Sequence, residues 1–193
     1  MGMTGDVTLQ PGDALVVVDV QNDFLPGGAL AVPEGDAVVA VLNAWIARFA
    51  AAGLPIAATR DWHPADHCSF RAQGGPWPPH CVIDTPGAAF SADLKLPATA
   101  IIVSKGTRQD DMGYSEFEGT ELHHRFQELG VRRVIVGGLA TDYCVLNTVL
   151  DALHLGYEVQ LLTAGVRAVE VRPGDGARAI ATMEAEGAVT LGD

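Results

Sequence analysis

The sequence predicts an α/β protein, a three-layer α/β/α sandwich around a mainly parallel sheet of about six strands, Rossmann-like in layout. Three observations carry this. Short apolar runs alternate with longer segments of helical period along the whole chain. The first run, "ALVVVDV" (14–20), is almost wholly apolar, which suits a strand covered by helices on both faces. Polar, reactive residues recur at the carboxyl ends of the runs, where open α/β sheets hold their ligands.

The elements follow in order. After the first strand, "GDAVVAVLNAWIARFAAAG" repeats Val38, Val41, Leu42, Trp45, Ile46 and Phe49 at helical spacing, with Gly53 as the stop. "LPIAAT" is the second strand, and a long loop leads to the third, "TAIIVSK". "EGTELHHRFQELG" is a helix ending at Gly130, and "RRVIVGG" is the fourth strand. "TDYCVLNTVLDALHLG" is a helix with Thr141 or Asp142 placed to cap it. "YEVQLLT" is the fifth strand, "PGDGARAIATMEAEG" a helix with Pro173 near its start, and "AVTLG" the last strand. No repeat, low-complexity tract or linker interrupts this pattern, so residues 1–193 are expected to form one domain.

The chain has 193 residues, enough for one sizeable core. Hydrophobic residues make up 48% and charged residues 19%, as in a soluble globular protein. No apolar run is long enough to span a bilayer, and "MGMTGDVTLQPGD" lacks the basic and apolar regions of a secretory signal. A cytoplasmic location without membrane partners is therefore expected. The net charge of −12 would repel a phosphate backbone, which argues against nucleic-acid binding. The three cysteines, Cys68, Cys81 and Cys144, contain no CxxC pair and suggest no disulfide framework. A homo-oligomer is left open.

Asp19 ends the first strand, Asp61 and His63 follow the second, Lys105 ends the third, and Cys144 lies in the first turn of the helix after "VIVGG". A cysteine there feels the positive end of the helix dipole, which favours the thiolate. The plainer alternative is a buried structural cysteine. Asp19 follows apolar residues, so desolvation should raise its proton affinity. Cap or strand-end roles are the plain alternatives for Asp19 and Lys105. Together the three supply an acid, a base and a nucleophile, the kit for acyl transfer from an amide. "GGLAT" offers backbone N–H groups for an oxyanion hole.

The stretch "DWHPADHCSFRAQGGPWPPHC" (61–81) holds three of the six histidines. In an extended segment Asp61 and His63 share one side, and His80 can return through "GGPWPP" to complete three ligands with open positions for water. His67, Cys68 and Cys81 are alternatives, although the cysteine spacing fits no common zinc pattern. A polar surface loop is the plain reading. His123, His124 and His154 are expected to be solvated. Phosphate loop, dinucleotide fingerprint and serine elbow are all absent from the sequence.

"VVVDVQNDFLPGGAL", "TRDWHPADHCSF", "GGPWPPHCV", "SKG" and "VGGLATDYCV" resemble the signature segments of nicotinamidases, within the isochorismatase-like cysteine hydrolases. The resemblance runs from about Leu15 to the last strand. It implies the isochorismatase-like fold and hydrolysis of nicotinamide to nicotinate and ammonia, with pyrazinamide as a second substrate and NAD salvage as the setting. It implies Asp19, Lys105 and Cys144 as the catalytic triad, and the N–H groups of Ala140 and Cys144 as the oxyanion hole. Asp61, His63 and His80 would hold one divalent metal, with zinc expected first and iron or manganese as alternatives. The metal would hold the pyridine nitrogen, while Phe24, Trp77 and Tyr114 line the aromatic pocket. A cis peptide between Leu139 and Ala140 is also implied. His67 lies closer to Asp61 than the extra histidine ligand of some relatives and is left outside the set. Glu116 stands where glycine is frequent in similar enzymes, which suggests an altered loop over the pocket and bears on Tyr114. Relatives acting on isochorismate or carbamoylated amines generally lack the Asp-x-His…His set. Another amidase of this family, or a non-catalytic metal-binding protein on the same fold, is the competing reading.

Overall fold

The computed structural model describes residues 7–192, so the first six residues of the stretch read for a secretory leader lie outside the described residues. Six strands form one sheet in the order β3-β2-β1-β4-β5-β6. They are β1 (Asp13–Val18), β2 (Ile56–Asp61), β3 (Ile101–Lys105), β4 (Arg133–Leu139), β5 (Glu158–Arg167) and β6 (Val189–Leu191). Every pairing is parallel. The helices are α1 (Ala37–Ala52), α2 (Leu122–Glu128), α3 (Leu146–His154) and α4 (Asp175–Ala185).

The unbroken apolar character of β1 follows from its place between two layers. Ala14, Val16 and Val18 pack into the core shared with α2, α3 and α4. Leu15 and Val17 face the opposite core, built with Val38, Leu42, Ile46 and Phe49 of α1. Each large apolar side chain buried in this way stabilises the fold by roughly 1.5–3 kcal/mol. At the amino end of the sheet, Arg133 clamps Asp13 with hydrogen bonds of 2.8 and 2.6 Å, tying β4 to β1.

Three local features differ from the sequence expectations. β5 continues to Arg167, beyond "YEVQLLT", with a pairing irregularity opposite Val136–Gly138. The segment read as the start of a regular helix is a π-helical turn over Thr141–Val145, and α3 begins only at Leu146. Neither Thr141 nor Asp142 caps it. The position before the turn is Ala140, without a side-chain cap, and the Asp142 carboxylate instead accepts the N–H groups of Val169 and Glu170 at 2.9 and 3.0 Å.

Candidate active site

The carboxyl ends of β1, β2 and β3 and the turn after β4 converge on one buried cluster. Asp19 leaves β1 with φ 47°, in the left-handed region that a non-glycine residue adopts at a cost. Its carboxylate is wholly buried and lies 2.8 Å from Lys105 Nζ, while its other oxygen accepts the Thr59 hydroxyl at 3.0 Å. Lys105 also donates to Asp61 Oδ1 at 2.5 Å and to the Gly113 carbonyl at 2.7 Å, and sits 3.4 Å from Cys144 Sγ. The lysine is therefore the hub between Asp19, Asp61 and the thiol.

These contacts set the proton affinities. Burial raises Asp19 above the ordinary carboxylate range, with Lys105 pulling the other way. Burial opposes the Lys105 charge, but Asp19 and Asp61 outweigh it and hold the ammonium well above its usual range. Burial also pushes the Cys144 thiol well up, and Lys105 offsets only part of this against Asp19, Asp61 and Glu116. Burial thus makes the thiol hold its proton more tightly than a free cysteine does, and the sulfur needs a base to take it.

The second cluster adjoins the first through Asp61. Its Oδ2 lies 3.4 Å from His63 Nε2 and 3.9 Å from His80 Nε2. The Nδ1 atoms of His63 and His80 turn to the carbonyls of Gly106 and Pro78, each at 2.8 Å. Those carbonyls accept Nδ1–H and leave both Nε2 lone pairs facing Asp61, the tautomer a metal ligand needs. One donor atom from each of Asp61, His63 and His80 falls within 4.8 Å of the others, so the donor set fits a divalent ion. Gly106, at φ 58°, makes the approach possible, because a Cβ there would sit 2.4 Å from the His63 ring. Burial favours neutral Asp61, yet Lys105 and then the two histidines hold it below the usual carboxylate range. Asp19, Asp61 and Cys144 form another close group, but the Lys105 ammonium already stands among them.

His67 stacks on His63 with ring centres 3.8 Å apart. Its Nδ1 meets the Ser69 hydroxyl at 2.7 Å and its Nε2 the Asp111 carbonyl at 2.6 Å, so both nitrogens are engaged outside the ligand cluster. Cys81 is buried, and Cys68 lies against Met112 with sulfurs 3.5 Å apart; neither joins the cluster. His124 and His154 are exposed, whereas His123 is half-buried and bonds the Tyr157 hydroxyl at 2.9 Å, contrary to the expectation of a solvated ring.

A small pocket opens onto both clusters. Phe24, Trp77 and Tyr114 line it, together with Asp61, His80, Ala140 and Cys144. The Trp77 indole donates to the Tyr114 hydroxyl at 3.1 Å, which braces the two walls. Tyr143 adds an edge against Trp77 at 5.0 Å, and Val169 completes the rim. The Leu139–Ala140 peptide is cis. Glu116 is not a pocket residue. It is buried beneath the cluster, 3.7 Å from Lys105 Nζ.

Gln21 was missed by the sequence reading. Its amide donates to the Asp61 carbonyl and accepts the Asp61 N–H, each at 2.8 Å, and so fixes the backbone that carries the shared carboxylate. A polar residue two positions past a buried strand-end acid was the available signal.

The isochorismatase domain family model matches residues 13–192. The chain belongs to the isochorismatase family. Within that family it is 42% identical to the nicotinamidase of Escherichia coli strain K12, over 95% of this chain and 97% of the relative. It is also 42% identical to the nicotinamidase/pyrazinamidase of Mycobacterium tuberculosis, over 80% of this chain and 88% of that one. Among solved structures, the pyrazinamidase of Pyrococcus horikoshii in complex with zinc superposes with a TM-score of 0.90 at 49% identity, covering 95% of this chain and 100% of that one.

Proposed function

We propose that this protein is a nicotinamidase that hydrolyses nicotinamide to nicotinate and ammonia, and pyrazinamide by the same route. The observation that carries this reading is one aromatic pocket meeting both a buried Asp–Lys–Cys cluster and an Asp–His–His donor set. The likeness to nicotinamidases over nearly the whole chain supports it. The product feeds NAD salvage. No helix of the described residues is long and apolar enough to cross a membrane, and a cytoplasmic, metal-dependent enzyme acting on a small molecule fits the acidic chain and its three free cysteines.

The residues divide the work as follows. Asp19 takes the Cys144 proton as the sulfur attacks the carboxamide carbon, and burial, by raising its proton affinity above the ordinary carboxylate range, makes it a stronger base for this step. Lys105 holds Asp19 in place and balances the charge that develops on sulfur. The N–H groups of Ala140 and Cys144 receive the oxyanion. Asp19 then passes its proton to the departing ammonia. In the second half Asp19 deprotonates the water that attacks the thioester, and the proton returns to Cys144 as nicotinate leaves. Trp77 and Phe24 hold the flat ring. A divalent ion held by Asp61, His63 and His80 would supply a Lewis-acid site for the pyridine nitrogen, with zinc expected first and iron or manganese next.

Stripping the metal with a chelator is expected to remove most of the ammonia release from nicotinamide, with recovery on adding zinc. Steady-state assays before and after dialysis check this. Full activity in metal-free protein would remove the Asp61–His63–His80 centre from the reaction.

A further inference from the structure

Asp23 is neither a metal donor nor a pocket residue, yet it joins the segments that carry both. Its Oδ2 accepts the Cys81 N–H at 2.7 Å, from 58 residues away in the chain, and its Oδ1 accepts the Ala29 N–H at 3.2 Å. Its carbonyl accepts the Leu30 N–H at 2.9 Å. Phe24 and Leu30 stand at the two ends of this loop, and both line the catalytic pocket. One residue thus ties the loop to the peptide that follows His80.

The Cys81 peptide is the other half of this clamp. Cys81 is wholly buried, and its φ of 46° lies in the left-handed region, a costly conformation for a non-glycine residue. Its N–H goes to Asp23, and its carbonyl accepts the His63 N–H at 3.0 Å. His80 directly precedes it, so the backbones of His63 and His80 are set against each other through Cys81. The His80 ring in turn meets Phe24 with ring centres 5.7 Å apart. Two metal donors and one pocket wall therefore share a hydrogen-bonded frame, and a carboxylate acceptor holds its strained corner. Space around that carboxylate is tight, because a Cβ on Gly87 would sit 2.2 Å from Asp23 Oδ2.

We propose that Asp23 is a positioning residue that locks the His63–His80 donor pair and the Phe24–Leu30 pocket wall into one unit, so that metal affinity and substrate binding depend on the same carboxylate. Without it the Cys81 N–H loses its acceptor, the left-handed turn can relax, and His80 loses its fixed approach to Asp61. The same change releases Ala29, and with it the loop that brings Leu30 to the pocket. This role rests on the Asp61–His63–His80 metal centre and, for the pocket wall, on the nicotinamidase reading.

The test compares Asp23→Ala, Asp23→Asn and Gly87→Ala with the parent. Zinc affinity of the folded protein is read first, by competition with a chromogenic chelator and without substrate. Groups that orient metal ligands from outside contribute about ten- to hundredfold in affinity, and Asp23 acts one peptide further out, so Asp23→Ala should weaken zinc by about tenfold. Asparagine keeps an acceptor for only one of the two N–H groups, and Asp23→Asn should fall between alanine and the parent. Gly87→Ala drives the carboxylate off Cys81 while leaving it beside His80, which separates geometry from charge. It should weaken zinc as well, and add little in combination with Asp23→Ala. In the second readout, zinc-saturated Asp23→Ala should show a raised KM for nicotinamide with kcat changed less, the pattern of lost uniform binding. Parental zinc affinity in Asp23→Ala with only Tm lowered would mark a purely structural carboxylate and overturn the proposal. Parental affinity in Gly87→Ala beside weakened zinc in Asp23→Ala would overturn it too, by assigning the effect to charge. A fall in kcat at unchanged KM would do the same, by placing Asp23 in the chemical step. If Asp23→Ala does not fold, Asp23→Asn and Gly87→Ala carry the same comparison. A parent that binds zinc but releases no ammonia would count against the nicotinamidase reading alone, since the zinc affinities would still decide whether Asp23 holds His80 in place.

Discussion

Replacing Cys144 by alanine is expected to lower ammonia release from nicotinamide by about ten-thousandfold or more, because no other group in the pocket can form the thioester. Asp19 would remain a base, but the only nucleophile left to it would be water. The metal donors Asp61, His63 and His80 do not touch the removed sulfur, so zinc content should match that of the parent. Cys144 is buried against the core, with the sulfur 3.4 Å from Lys105. Its loss removes one small apolar contact and leaves Lys105 its two carboxylates, so the fold should persist. Steady-state kinetics together with metal analysis check both halves. Substantial turnover by the variant would mean that water attacks directly and would end the thioester account.

Replacing Lys105 by methionine is expected to have the largest effect on stability. The side chain is wholly buried, and its ammonium is shared by Asp19 at 2.8 Å and Asp61 at 2.5 Å. Removing one partner of a buried ion cluster leaves the other charges without compensation, at a cost of about 3–5 kcal/mol. Without the cation, both carboxyls should hold protons to higher pH than in the parent. The variant's deficit should therefore grow as pH rises and shrink in acid, where the carboxyls are neutral in both folded and unfolded chains. Thermal unfolding across a pH series measures this. Activity should fall as well, because a protonated Asp19 cannot take the thiol proton. A deficit that does not change with pH would indicate lost packing rather than lost charge.

The sheet was legible because β1 and β4 are buried on both faces, and such strands write themselves as unbroken apolar runs. The convergence of Asp19, Asp61, Lys105 and Cys144 was legible because all four follow strand ends in a parallel sheet, which puts them on one edge whatever the loops do. The π-helical turn at Thr141–Val145 was not, since its composition suits a regular helix and what distinguishes it is the Val145 N–H reaching five residues back to the Ala140 carbonyl at 3.1 Å. Asp142 looked like a helix cap because caps are local, but its partners Val169 and Glu170 lie 27 and 28 residues away. The burial that pushes the Cys144 thiol up was not legible either, because it is made by segments distant in sequence. Glu116 in "YSEFEG" read as a change in the loop over the pocket, and nothing in its neighbours shows that it turns inward to Lys105.

The most direct test of the whole account is ammonia release by zinc-loaded protein from nicotinamide, run beside a carbamoylated amine of the kind other members of the family hydrolyse. The pocket lining of Phe24, Trp77 and Tyr114 together with His80 and Asp61 suits a flat heteroaromatic carboxamide. The account predicts rapid release from nicotinamide and little from the carbamoylated amine. Turnover of the carbamoylated amine with none of nicotinamide would contradict it, and would give the same Asp–Lys–Cys cluster a different substrate.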